Sequence, residues 1–144
     1  MKIELKRVDD AFHFKATGPS NVPVHIDAGE AVGGAGMGAR PMELVAMGLA
    51  GCAVIDFILI LKKQRQVLED IRIEINAERY KNQTPAPFEH IHLKFLLTGE
   101  LAPKKVEKAL QLSIEKYCSV SEMLKSTTKI DYSYEIKDIK TETA

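Results

Sequence analysis

Apolar and charged residues alternate from the start of the chain. Over residues 2–8 and again over 11–17 the alternation has the period of two that half-buried strands show, and Asp9-Asp10 between them predicts a hairpin. Val22 to Ile26 reads as a third short strand, broken by Pro23, and a glycine-rich loop runs from Gly29 to Gly38. At Pro41 the pattern changes. A proline suits the first turn of a helix, where its missing N–H is not needed. Leu44 to Leu61 then gives 18 residues with a single charge, Asp56. The helix is predicted to run to about Gln66 and to end in the basic cluster Lys62-Lys63-Gln64-Arg65, where positive charge complements the helix dipole.

The second half returns to alternation. Ile71, Ile73 and Ile75 interleave with Arg72 and Glu74, and His90 to Leu97 follows the Pro85–Pro87 loop as another strand. Pro103 opens a second helix, with Val106, Ala109, Leu110, Ser113, Ile114 and Tyr117 predicted on one face. Ser119-Val120-Ser121-Glu122 has the form of a capping box and starts a further helix. Ile130 to Ile136 is the last predicted strand, and the polar tail 137–144 is expected to fray. The class is α+β, a long apolar helix packed on antiparallel sheet, in a single domain over 1–144.

Composition narrows the function classes. Apolar residues make up 45% of the 144, enough for a core, and the 20 basic and 20 acidic side chains cancel. No global field therefore favours nucleic acid or an anionic membrane. The long apolar run approaches a membrane span in length, but Asp56 in its middle argues for a buried core helix instead. The N-terminus lacks the apolar stretch of a signal peptide, so a cytoplasmic location is expected, where thiols are kept reduced.

The candidate chemistry lies in two cysteines. Cys52 sits in the apolar run, and Cys118 comes 66 positions later in Tyr117-Cys118-Ser119-Val120. They are either a redox pair or two inert core residues, because this spacing fits neither C-x-x-C nor a zinc pattern. The helix predicted after Cys118 favours negative charge there, whereas Asp56, one turn from Cys52, disfavours a thiolate. Gly34-x-Gly36-x-x-Ala39 matches a dinucleotide fingerprint only superficially, with no βαβ context. His90 and His92 share a strand face, but two ligands make no zinc site and no Cys or Asp completes one nearby in sequence; no metal and no cofactor are expected. Gly48, Gly51 and the alanines at 46, 50 and 53 thin one stretch of the long helix, which suits close approach of another backbone or of the sheet.

Pro41-Met42-Glu43-Leu44 followed by Cys52, with Tyr117-Cys118-Ser119-Val120, resembles the OsmC/Ohr family of osmotically inducible and organic hydroperoxide resistance proteins. The resemblance covers nearly all of residues 1–140. It implies an OsmC-like fold in an intertwined homodimer, with the active sites at the subunit interface. It implies a thiol peroxidase in which Cys52 attacks an organic hydroperoxide and Cys118 resolves the sulfenic acid as a disulfide, reduced in turn by an external dithiol. The family's glutamate follows the proline directly; here Met42 holds that place and Glu43 is one residue later. On a continuous helix Glu43 would lie about 180° around from Cys52. Arg40, beside the helix start, is the candidate for the family's arginine. The alternatives are a non-catalytic dimer that binds a small apolar ligand at its interface, and a different thiol enzyme on the same scaffold.

Overall fold

Asp9 makes the first turn. Its carboxylate accepts the N–H groups of Ala11 (2.9 Å) and His13 (3.1 Å), which folds β1 (Glu4–Arg7) back on β2 (Phe14–Thr17) in an antiparallel pair. β3 (Val24–Ile26) pairs antiparallel with β2 and starts one residue after Pro23, whose missing N–H keeps it out of the ladder. The computed structural model describes residues 1–137, so all of the predicted frayed tail except Lys137 lies outside the described residues. The chain divides into two units, Met1–Val45 and the part from Ala46 onward. In the first, the sheet β1-β2-β3 is followed by a single 3-10 turn at Glu30–Val32, closed by Gly33 in the left-handed region at φ 95°.

Helix α1 (Pro41–Lys63) begins in the first unit and continues into the second. It stops three residues before the predicted end. Arg65 takes φ 56°, its N–H bonds to the Lys62 carbonyl, and the Gln66 N–H reaches back to Leu61. This pairing satisfies the last free carbonyls and turns the chain into the next strand.

The second unit is built on long strands. β4 (Val67–Arg79) and β5 (Phe88–Glu100) pair antiparallel, and β6 (Lys129–Lys137) adds to the other side of β5. β6 runs parallel to β5, so the expected antiparallel sheet is corrected to a mixed one. A parallel neighbour requires a crossover of a dozen residues or more. Here it is supplied by α2 (Pro103–Gln111), one π-helical turn at Leu112–Tyr117, and α3 (Ser119–Leu124).

The core lies on one face of this sheet. Ile91, Leu93, Phe95 and Leu97 alternate inward along β5, and Phe95 meets Phe57 of α1 with ring centroids 5.4 Å apart. α2 adds Val106, Ala109 and Leu110. Within a single chain the predicted central helix is buried along one side only. α1 buries one stripe, Ala46, Leu49, Ala50, Ala53, Phe57 and Leu61, while Met47 (53%), Ile55 (62%) and Leu59 (51%) are exposed. The helix is apolar all round, so covering one side leaves the other uncovered. By length and composition α1 could also cross a membrane, a test that core helices pass equally.

Candidate functional site

Cys118 is placed by a change of helical pitch. α2 gives way to the π turn, and the Cys118 N–H donates to the Ser113 carbonyl five residues back at 2.9 Å. The wider turn shifts the face that follows: Ser113 and Ile114 stay buried, but Tyr117, predicted on the same face, is 50% exposed. The backbone then extends at Cys118 (φ −72°, ψ 106°) and enters α3. The predicted capping box is displaced by one residue. Cys118 itself is the cap, its Sγ accepting the Ser121 N–H at 3.3 Å.

Cys52, half-buried on α1, is near enough to Cys118 to influence its proton, and both are free thiols. The fold thus brings together two residues that sequence analysis could pair only by resemblance. Burial pushes the Cys118 thiol up to about 11, helped by the nearby Cys52; the Ser121 and Val120 N–H groups pull the other way without overcoming burial. Local helix geometry alone had suggested the opposite balance. Near neutral pH Cys118 is a protonated thiol, which is the weaker nucleophile.

Arg40 and Glu43 meet each other at the start of α1. The Arg40 N–H donates to Glu43 Oε2 at 2.9 Å, one half of a capping box. The Arg40 guanidinium lies over Gly29, where an added Cβ would stand 3.3 Å from Nε. Both residues line an open cavity of about 440 Å³ with Glu30, Gly36 and Gly38. Its loop is held by Asp27, a residue sequence analysis passed over. Buried Asp27 accepts the Ala28 N–H (2.7 Å) and the Met37 N–H (3.0 Å). The Met37 donor is the main cause that holds its carboxyl below the usual range.

A second cluster stands on the opposite, polar face of the β4-β5-β6 sheet. Sequence distance hid the third member: Asp131 on β6 is in register with His92 on β5. Its carboxylate oxygens lie 2.5 Å from His92 Nδ1 and 2.9 Å from His90 Nε2. The expectation that no Asp completes the histidine pair is corrected by this parallel pairing. The His92 contact is a well-formed hydrogen bond. The His90 contact is close by distance, but Nε2 is buried and its geometry is too poor for a hydrogen bond; the angle, not the distance, decides this. Burial pushes the Asp131 carboxyl up, yet the two histidines outweigh it and hold it below the usual range.

Comparison with known proteins matches residues 33–133 to the family described as OsmC-like protein. Protein YhfA of Escherichia coli K12 is 43% identical over 97 residues, which cover 67% of this chain and 72% of YhfA. The crystal structure of a hypothetical protein from Aquifex aeolicus VF5 superposes with a TM-score of 0.83 at 31% identity, over 95% of this chain and 96% of that one. The organic hydroperoxide resistance protein OhrB of Bacillus subtilis superposes with a TM-score of 0.62 at 20% identity, over 93% and 96% of the two chains, a likeness of fold.

Proposed function

The chain belongs to the OsmC-like protein family, and on that premise we propose that it is a thiol peroxidase that reduces organic hydroperoxides. One observation carries the reading: Cys52 and Cys118, far apart in sequence, are free thiols near enough that Cys52 helps raise the Cys118 thiol. In this cycle the Cys52 thiolate attacks the terminal oxygen of ROOH, the O–O bond breaks, and alkoxide leaves to become ROH. Cys52 is now a sulfenic acid. The Cys118 sulfur attacks it, water leaves, and a Cys52–Cys118 disulfide forms. An external dithiol reduces the disulfide and is itself oxidised. The roles divide by environment. Cys118 is held as a neutral thiol, which suits the second step better than the first. Arg40 and Glu43 are carried as catalytic candidates by the family resemblance.

The working unit in this proposal is a cytoplasmic homodimer. Met47, Ile55 and Leu59 support it, because an apolar helix face left open in one chain suits burial against a second copy. The neutral state of Cys118 also favours a second reading, a dimer that binds a small apolar ligand with its thiols as bystanders.

The deciding experiment is consumption of an alkyl hydroperoxide with a dithiol supplied. The wild type turns over, Cys52→Ser abolishes turnover, and Cys118→Ser, treated with peroxide in the absence of dithiol, consumes at most one equivalent through Cys52 and forms no Cys52–Cys118 disulfide. A wild type that leaves both thiols reduced after peroxide treatment rejects the peroxidase and favours the ligand-binding dimer.

A further inference from the structure

We propose that His90, His92 and Asp131 form a binding site for a divalent transition cation of the zinc class on the polar face of the β4-β5-β6 sheet. The site shares no residue with the cysteine pair and does not depend on the peroxidase reading.

The topology makes the cluster. Along β5 the period of two turns Ile91 and Leu93 into the core and leaves His90 and His92 together on the other face. The parallel register sets Asp131 beside His92. One donor atom from each of the three lies within 4.8 Å of the other two. Zinc bonds of about 2.0–2.2 Å bring tetrahedral ligand atoms to about 3.3 Å from one another. The side chains are about one-third exposed, at 33%, 31% and 39%, so small rotations can close that gap.

The donor set selects the class of cation. Two imidazoles and one carboxylate suit zinc and its transition-metal neighbours and leave a coordination position open. Magnesium and calcium prefer oxygen ligands throughout. The surroundings fit as well. His92 contacts Asp131 through Nδ1 and has Ser133 Oγ 2.8 Å from Nε2, the kind of outer hydrogen bond that orients a metal-binding imidazole. His90 Nε2 is buried at the cluster without a well-formed hydrogen bond. Two ammonium groups share this face: Lys94 is paired with Glu135 at 2.8 Å, and Lys129 stands in register with His90, which has Glu78 in register on its other side to offset that charge.

Zinc titration of the whole chain by calorimetry, with Cys52→Ser/Cys118→Ser as a second background, tests the site. One zinc ion per chain should bind in both backgrounds, and magnesium should give no saturable signal. His90→Gln and His92→Gln should each weaken zinc binding at least tenfold, and Ser133→Ala several-fold. Zinc binding that disappears in the double cysteine variant, or that both histidine variants leave unchanged, overturns the proposal. If a histidine variant does not fold by circular dichroism, ring proton resonances in the double cysteine variant decide. His90 and His92 must shift at lower zinc than His13 and His25, which form their own exposed pair at 2.7 Å; the reverse order overturns the proposal.

Discussion

Cys118 keeps its proton because burial costs more than two amide donors return, and that balance can be measured. Alkylation of Cys118 in the native protein should stay slow through pH 9 and rise only towards pH 11, whereas in denaturant it should rise around the ordinary thiol value of about 8.5. The folded state holds this proton where the unfolded chain has lost it. The thiol's contribution to stability is therefore complete below the unfolded value and declines as pH rises towards about 11. Cys52 adds to the upward shift, so Cys52→Ala should bring the Cys118 midpoint down part of the way, with burial still holding it above the denatured value. A native profile that coincides with the denatured one would contradict this account. The same residue shows why a short motif is an incomplete guide. Tyr117-Cys118-Ser119-Val120 placed a helix start after the cysteine, but only the packed structure shows that its Sγ is the cap and that burial dominates.

At the scale of elements, β5 is the strand on which most depends. It pairs on both sides, and its inward face is fully buried. Phe95→Ala should cost about 3–5 kcal/mol in denaturant unfolding, the range for removing a buried aromatic ring. Gly99 is a sharper case. It takes φ 151° beside the irregularity where Glu69 is the extra residue of β4, and an added Cβ would stand only 2.2 Å from the Val67 carbonyl oxygen. Gly99→Ala should destabilise by about 2 kcal/mol or more, since both the backbone conformation and the space are lost. Equal stability of Gly99→Ala and wild type would show that this bulge relaxes freely. Alternation made both long strands visible in the sequence. The bulge was not visible, because one glycine near a strand end has many readings.

For the molecule as a whole, the uncovered face of α1 sets the expectation. Met47, Ile55, Ile58 and Leu59 are exposed along a helix with almost no polar side chains between them. Light scattering should report about twice the chain mass of 16.0 kDa at micromolar concentration. Ile55→Lys with Leu59→Lys should shift the population to monomer, since charges at such a seam stay unpaired when buried. A wild-type monomer at that concentration would remove the interface from both readings of function.

Local order was legible in the chain itself. Period-two alternation marked the hairpin and the long strands, Pro41 and Pro103 opened their helices where predicted, and the glycines marked the loop before α1. These features depend on neighbours a few residues away, which is what a sequence pattern records. Three things depended on the tertiary structure. β6 runs parallel to β5 because a helical crossover separates them. Asp131 meets His90 and His92 through that pairing alone. Cys52 and Cys118, 66 positions apart, come near enough within one unit for Cys52 to raise the Cys118 thiol. Each brings together residues tens of positions apart, and register and burial, rather than local propensity, decide which side chains meet and which proton stays.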